Sequence, residues 1–430
     1  MRIPFVASTP AQVVTITWDH MYQRIDGFGA SSATFTHLTD PEADMFFSVD
    51  KGIGLSLLRN SINADGTTSE TEIMRQALAR GARIFSTPWT PPAAWKTNHS
   101  LVNGGSLLTA NYQDYATQLA RYVAQMASQG IPIDAVSIQN EPDLAAPYRS
   151  AIWTDRQIHD FVPYLYRALH ATGVGSTKIM LPEPSQWNLL PSYADTTLRD
   201  PLTAADVAIV ASHDYDDSKT PYPLAQSLGK DLWETEVSTL DGPFDASMTD
   251  ALKWADNIYQ FLTTVDVNAW SYWNLTTKSD ANGGLTDSSR RPAKRLYALG
   301  NFSKFIRPGY YRIDAGPIPN GLEIVAFKDL ASRRFAIVAI NPTQSSPTVS
   351  FLFSDFVADS VTPWLTSAEY DLVKQSDMAT LDGTLFVAKL PAQSVTTFVG
   401  LNISRPSSET TGISTATPIP VPPNAALPRR

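Results

Sequence analysis

Eight short apolar segments recur between residues 23 and 305, each followed by an amphipathic stretch, and no other feature of the chain constrains its fold as strongly. The segments have the length and composition of strands that are buried on both faces. They are Ile25–Ala30, Gly54–Asn60, Ala82–Thr87, Ala135–Asn140, Lys178–Glu183, Val207–His213, Leu232–Glu236 and Ala269–Trp273. Eight successive strand–helix units predict an α/β fold, a (β/α)₈ barrel.

The clearest intervening helix is predicted over Tyr112–Gln129. Its apolar residues recur with a period near 3.6, as on the buried face of an amphipathic helix. Asn111, with Asp114 three positions on, is expected to cap the first turn, and Gly130 to end the helix.

After Pro308 the pattern changes to short alternating segments with β-branched residues, separated by Gly, Pro, Asn and Asp. Such segments are typical of an antiparallel β-sandwich. They are Tyr310–Asp314, Leu322–Phe327, Phe335–Ile340, Thr348–Phe353, Leu385–Leu390 and Val395–Val399. Val13–Trp18 alternates in the same way and is expected to pair with them. We therefore predict a barrel over 23–305, a sandwich side domain over 12–22 and 306–403, and a flexible Ser/Thr/Pro-rich tail over 404–430.

Composition excludes several classes of protein. The 33 basic and 42 acidic residues give a net charge of −9, which argues against a nucleic-acid partner. The chain has no cysteine, so disulfides, thiolate metal sites and a cysteine nucleophile are excluded. The sequence contains no run of eighteen apolar residues, so no membrane span is predicted. The first ten residues lack the apolar region of a signal peptide.

Carboxylates follow two of the predicted barrel strands. Glu141 follows the fourth segment, in Asn140-Glu141-Pro142, while Glu234 and Glu236 end the seventh. Catalytic groups of such barrels lie where strands end, and two opposed carboxylates are what a retaining glycosidase needs. Strand alternation places Glu234 and Glu236 on the same face, so spacing alone leaves both as candidates.

Polar residues at other strand ends fit the same chemistry. Arg59 is positioned to lower the pKa of a nearby carboxyl, and Asn140 to hydrogen-bond a sugar hydroxyl. His213 is as compatible with a buried supporting role as with a base.

Several motifs, in order along the chain, resemble glycoside hydrolase family 30, and most closely its bacterial glucuronoxylanase subfamily. They are Gln23-Arg-Ile-Asp-Gly-Phe-Gly29, Ser86-Thr-Pro-Trp89-Thr-Pro-Pro92, Asn103-Gly-Gly105, Ser137-Ile-Gln-Asn-Glu141-Pro-Asp143, His213-Asp-Tyr215, Pro221-Tyr-Pro-Leu224, Leu232-Trp-Glu-Thr-Glu236, Phe302-Ser-Lys-Phe-Ile-Arg-Pro-Gly-Tyr310 and Leu390-Pro-Ala-Gln-Ser-Val-Thr-Thr-Phe398. The resemblance covers nearly the whole chain except its two ends.

The resemblance implies roles for individual residues. Glu141 is expected to be the acid/base and Glu236 the nucleophile, with Glu234 in support. The expected sugar-contacting residues are Trp89, Asn140, Tyr215 and Trp273, with Trp95 and Trp153 as looser candidates beside Arg59 and His213.

The same resemblance implies a retaining enzyme that cleaves β-1,4-xylan by double displacement, with a polysaccharide as its partner. No cofactor, metal, nucleic acid or membrane is expected. The enzyme is expected to be a secreted monomer.

One stretch departs from the subfamily, which carries a paired-arginine motif for the glucuronate branch of xylan after the eighth strand. Here residues 273–285 contain no arginine, and Lys278 is their only cation. An ammonium lacks the planar fork that matches a carboxylate. We therefore expect hydrolysis that does not depend on glucuronate branches.

Two alternatives remain open. Relatives in the family act on β-1,6-glucan, β-1,6-galactan or glucosylceramide. A non-catalytic carbohydrate-binding protein is a different class, but its mark is loss of one carboxylate, and both are present. A cofactor enzyme lacks support, because the chain has no Gly-rich phosphate loop and no metal-ligand spacing.

Overall fold

A closed barrel of eight parallel strands forms the larger part of the chain. The structure is a computed structural model that describes residues 12–33, 35–278 and 281–404. Strand β1, Gln12–Arg24, lies in a second sheet. The barrel strands are β2 Gly27–Ser31, β3 Leu57–Ile62, β4 Arg83–Pro88, β5 Ile133–Ser137, β6 Lys178–Pro182, β7 Ile209–His213, β8 Asp231–Val237 and β9 Ala269–Thr276. They pair in chain order, and pairing of β9 with both β2 and β8 closes the barrel. A short strand β10, Gly284–Thr286, adds to β9.

Helices surround the barrel. They are α1 Asp40–Phe47, α2 Thr71–Leu78, α3 Tyr112–Ser128, α4 Asp155–Ala171, α5 Leu190–Arg199, α6 Pro201–Asp206, α7 Pro223–Ser227, α8 Met248–Gln260 and α9 Lys294–Ser303. Helix α3 buries Tyr115, Leu119, Val123 and Met126, the residues that its periodicity places on one face. Each of the eight predicted apolar segments overlaps one barrel strand, so the barrel is confirmed.

The predicted cap of α3 is wrong. Asn111 belongs to a 3₁₀ turn, Thr109–Asn111, and its side chain makes no capping bond to the backbone. Its Nδ2 donates to Asp114 Oδ2 instead, at 3.2 Å. The preceding turn already leads into the helix, so residue 111 does not adopt the extended backbone of a capping residue.

The second sheet joins the two ends of the described chain. Its further strands are β11 Tyr311–Gly316, β12 Glu323–Lys328, β13 Arg334–Asn341, β14 Thr348–Ser354, β15 Ser360–Thr366, β16 Val373–Lys374, β17 Met378–Ala379, β18 Leu385–Lys389 and β19 Ser394–Leu401. Pairing is antiparallel except between β1 and β14. Three of these strands, β15 to β17, were not predicted; Pro363 interrupts the apolar pattern of β15.

The second sheet folds over so that its two halves pack against each other. The rings of Phe351 on β14 and Phe398 on β19 lie 5.3 Å apart, which is the contact expected of a sandwich. The other face of the sheet packs on the barrel, because Val325 and Phe327 belong to the barrel's apolar core.

The predicted tail, residues 404–430, lies outside the described residues beyond Ser404. The predicted boundaries of the domains remain predictions. Within residues 12–33, 35–278 and 281–404, no helix has both the length and the apolar character needed to cross a bilayer.

Candidate active site

The C-terminal ends of the parallel strands bring six of the predicted residues together. Arg59 lies on β3, Asn140 and Glu141 follow β5, His213 ends β7 with Tyr215 just beyond, and Glu236 lies on β8. Parallel strands all end at the same face of a barrel, so residues far apart in the chain meet there.

Glu141 stands at a strained backbone position. Its φ is 47°, in the left-handed region that residues other than glycine seldom adopt. Glu183, which follows β6, has a φ of 56°, and its carbonyl accepts the Glu141 amide at 2.9 Å. Such positions persist where surrounding structure holds them, and they are concentrated at functional sites.

Glu141, His213 and Glu236 form the centre of the cluster. One carboxylate oxygen of each glutamate and one ring nitrogen of His213 all lie within 4.8 Å of one another. His213 Nδ1 is 3.4 Å from Glu141 Oε1, and Nε2 is 3.7 Å from Glu236 Oε2. All three residues are at most 5% exposed, so water screens their charges weakly.

Arg59 forms a hydrogen-bonded ion pair with the carboxylate of Glu236. Its Nη1 donates to Glu236 Oε2, and its Nη2 donates to Asn140 Oδ1 at 2.7 Å. Nη2 also lies 3.3 Å from Glu183 Oε1, and the guanidinium stacks 4.8 Å from the centre of the Trp89 ring. The second oxygen of Glu236, Oε1, accepts the Tyr215 hydroxyl at 2.8 Å. Glu236 is therefore held in one orientation through both of its oxygens.

The buried charges shift one another's pKa values. Burial alone lowers the pKa of His213, but the Glu236 charge and the bonds to Glu141 and Glu183 outweigh it and raise the pKa to about 10. Burial raises the pKa of Glu183, yet the charges of Arg59 and His213 lower it to about 2. His213 is thus an imidazolium and Glu183 a carboxylate at neutral pH.

The two central glutamates respond in opposite directions. Burial raises the pKa of Glu236 above the usual range, against the charges of His213 and Arg59. Burial acts the same way on Glu141, but the hydrogen bond and charge of His213 outweigh it, so the pKa of Glu141 is lowered. Because the two carboxyls share these neighbours, their protons belong to the pair.

Two residues of the cluster were missed by sequence reasoning. Glu183 is fully buried and accepts the Thr87 hydroxyl at 2.9 Å besides facing Arg59. It ended the fifth predicted segment, between two prolines, so its position was a usable signal. Tyr148 donates its hydroxyl to Glu141 Oε2 at 2.8 Å, and it lies in a loop without any such signal.

A cleft of about 330 Å³ opens beside the cluster. The rings of Trp89 and Trp273 form part of its wall, with centres 6.2 Å apart. Paired aromatic surfaces suit the apolar faces of sugar rings. The other lining residues include Ser61, Tyr148, Arg149 and Lys278.

Three of the predicted sugar contacts are buried or half-buried. Trp153 is 1% exposed, packs edge-on against Phe161, and donates its indole N–H to Gln139, so it offers no face to a ligand. Trp95 is half-buried against the barrel core. Asn140 is buried; its Oδ1 accepts from Arg59 and its Nδ2 donates to Glu141 Oε2, so its amide bridges the guanidinium and the Glu141 carboxylate.

Glu141, His213 and Glu236 are also residue types that bind metals, but their chemistry does not fit a cation. A protonated His213 has no free lone pair to offer. The Arg59 guanidinium already contacts Glu236, so another positive charge there is unfavourable.

Comparison with known proteins agrees with this architecture. The family profile described as "Glycosyl hydrolase family 30 TIM-barrel domain" matches residues 55–284. The chain is 31% identical to glucuronoxylanase XynC of Bacillus subtilis strain 168 over 405 residues, which cover 90% of this chain and 92% of that protein. It is 24% identical to the lysosomal acid glucosylceramidase of Mus musculus, over 66% of this chain and 63% of the relative. The family 30 subfamily 8 xylanase Xyn30A of Clostridium acetobutylicum superposes with a TM-score of 0.82 at 36% identity, covering 90% and 99% of the two chains.

Proposed function

The chain belongs to glycoside hydrolase family 30 and is a glycosidase, and from this premise we propose that it is a retaining endo-β-1,4-xylanase that does not require glucuronate branches. One observation carries the proposal: the oxygens of Glu141 and Glu236 approach within 4.8 Å across the barrel mouth. Retaining glycosidases hold their carboxyls about 5–5.5 Å apart, whereas inverting enzymes need about 6.5–9.5 Å to admit a water molecule.

In the first step, Glu141 donates its proton to the glycosidic oxygen while Glu236 attacks the anomeric carbon. The bond to the leaving sugar breaks and a covalent glycosyl-enzyme forms. In the second step, Glu141 takes a proton from water, whose oxygen replaces Glu236 at the anomeric carbon. Two inversions give net retention, and both glutamates return to their starting states.

The contacts of Glu236 support its role as the nucleophile. Arg59 and Tyr215 both donate to Glu236, which favours its charged, nucleophilic form. His213 faces both glutamates, and its hydrogen bond and charge lower the pKa of Glu141, so Glu141 holds the proton that its acid role needs less readily than a free carboxyl does. The reactive state is the one in which the pair's proton resides on Glu141.

Two variants test the roles. Glu236→Gln should abolish the covalent intermediate, because an amide is a poor nucleophile. Glu141→Gln should slow xylo-oligosaccharides far more than activated aryl glycosides, because only poor leaving groups need protonation. Equal loss on both substrates in the glycosylation step would contradict the acid role, and an inverted first product, followed by NMR, would contradict retention.

Xylan is the proposed substrate because the glucuronoxylanase and the subfamily 8 xylanase match along nearly their whole length at over 30% identity. The glucosylceramidase match is weaker and shorter. A polymer of this kind does not cross a membrane, so we also propose that the enzyme acts outside the cell. We propose separately that it is a monomer.

Independence of glucuronate is the finer part of the proposal. An arginine–carboxylate contact contributes about 1.5–3 kcal/mol, or roughly ten- to hundredfold in rate. The stretch after β9 lacks such an arginine, yet Arg149 enters the cleft from another loop while its Nη1 donates to Asn63.

The test is kcat/KM on linear xylo-oligosaccharides against matched oligosaccharides with one glucuronate. We expect less than about a tenfold preference for the branched set, which is the lower bound of the missing contact. A larger preference that disappears in Arg149→Ala would show that Arg149 replaces the missing arginine, and the proposal of independence would fall.

A further inference from the structure

The loop of residues 141–153, here called the acid loop, carries Glu141 at its start and Tyr148 near its middle. The Tyr148 hydroxyl donates to Glu141 Oε2 at 2.8 Å, although the residue as a whole is 48% exposed. An exposed tyrosine has little packing of its own to hold it at that distance, so its position must depend on the loop's backbone.

A neighbouring segment supports that backbone. Residues 101–105, which contain the Asn103-Gly104-Gly105 motif, exchange a series of bonds with the acid loop: Asn103 N–H to Ala146 O, Ser150 N–H to Leu101 O, Ile152 N–H to Gly105 O and Gly104 N–H to Ser150 Oγ. Gly104 has a φ of 69°, and a Cβ there would lie 2.9 Å from that of Ala145. The motif is therefore a close-packed support for the acid loop.

The buried side chain of Lys96 forms a hydrogen bond to the acid loop. It is 0% exposed, and its ammonium donates to Ser150 O at 2.6 Å and Thr90 Oγ1 at 2.9 Å. Across the described residues, no carboxylate forms an ion pair with it. Burial lowers the pKa of Lys96 to about 8. A buried ammonium without a counter-ion is unfavourable, so its presence points to a positional role.

We propose that Tyr148 sets the acid strength of Glu141, and that Lys96 is the positioning residue that holds Tyr148 in place through Ser150. The inference rests on the proposed function, in which Glu141 is the acid/base. A hydrogen bond donated to a carboxylate favours its charged form, so the Tyr148 bond makes Glu141 a stronger acid.

Other groups also act on Glu141 and must be kept constant in a test. The charged and titratable groups that act on it directly are Arg59 on β3, His213 at the end of β7 and Tyr215 just beyond it, Glu236 on β8 and Tyr148 of the acid loop. Glu183 acts on it through His213. Removing only the Tyr148 hydroxyl leaves the charges of the others intact and keeps the ring in the cleft wall.

The experiment is a double-mutant cycle read by pH. The dependence of kcat/KM on pH is measured with a xylo-oligosaccharide for the full chain, Tyr148→Phe, Lys96→Met and the double variant. The basic limb reports the proton on the acid. We expect it to move upward by about one pH unit in each single variant, and no further in the double variant than in Tyr148→Phe.

Matched controls are Tyr166→Phe, on the outer face of α4, and Lys389→Met, at an exposed position of β18; neither should move the limb. An unmoved limb in Tyr148→Phe or in Lys96→Met overturns the proposal, and so does an additive double variant. If Lys96→Met does not fold, Thr90→Val takes its place in the cycle, because it removes the side-chain partner of the Lys96 ammonium, and a shift of the limb in the same direction is expected. A wild-type protein inactive on xylo-oligosaccharides counts against the proposed function instead, and the same variants are then profiled on the β-glycoside that it does hydrolyse.

Discussion

Replacement of Glu183 by glutamine removes a charge from the buried cluster around His213 and Arg59 while preserving the shape of the side chain. Glu183 Oε1 lies 3.8 Å from His213 Nε2 and 3.3 Å from Arg59 Nη2. When Glu141, Glu183 and Glu236 are all ionised and Arg59 and His213 are positive, the cluster carries a net charge of −1, and the variant makes that state neutral. His213 then loses one of the three carboxylates that keep it protonated.

The size of the effect follows from the distance. Two unit charges about 4 Å apart interact by about 4 kcal/mol at an effective dielectric constant of 20. At about 1.4 kcal/mol per pH unit, this corresponds to at most about three units in the pKa of His213. The pKa of His213 is about 10 in the native protein. We expect a midpoint between about 7 and 9 in Glu183→Gln, since Glu141 and Glu236 remain.

The assay is NMR titration of the histidine rings. The chain has six histidines, and loss of one signal in His213→Gln identifies the resonance of His213. Glu369→Gln, on the exposed surface of the second domain, is the matched control and should leave the midpoint unchanged. If His213 still titrates near pH 10 in Glu183→Gln, Glu183 does not maintain its charge, and the electrostatic account of the cluster is wrong. If the account is right, kcat/KM of the variant also acquires an ionisation in the same pH range.

Three further predictions concern stability and architecture. Burial and the nearby Asp256 raise the pKa of Glu323 to about 8. The native protein should therefore lose stability as the pH rises from about 4.5 to 8, because the folded state must give up a proton that it holds more tightly than the unfolded state does. Glu323→Gln should raise the melting temperature at about pH 8.5 and not at about pH 4. Phe351→Ala should cost about 3–5 kcal/mol in urea unfolding, because the fully buried ring stacks 4.7 Å from Phe386; a cost below about 1 kcal/mol would contradict that packing. A fragment ending at Phe305 should be insoluble, because the second sheet buries one face on the barrel, and a soluble, fully active fragment would refute this.

The periodicity of the chain determined its architecture without tertiary information. Strands buried on both faces, alternating with amphipathic helices, admit few folds other than a barrel, and parallel strands bring their ends to one face. For this reason a carboxylate pair, Glu141 opposite either Glu234 or Glu236, was predictable before any distance was known. The choice of Glu236 over Glu234 rested on family resemblance, because two residues two apart in a strand share a face.

Only the tertiary structure decided which side chains touch. Trp153 is a residue type that often stacks on sugar rings, but here it is packed in the core. Its exposure depends on neighbours that are distant in the chain. Tyr148 bonds Glu141, and Lys96 bonds Ser150, because the acid loop follows a path set by its hydrogen bonds to the 101–105 segment. Those hydrogen bonds produce no periodic pattern in the sequence. The pKa values of Glu141, Glu183, Glu236 and His213 likewise depend on distances of a few ångströms inside a low-dielectric interior, and no sequence pattern encodes those distances.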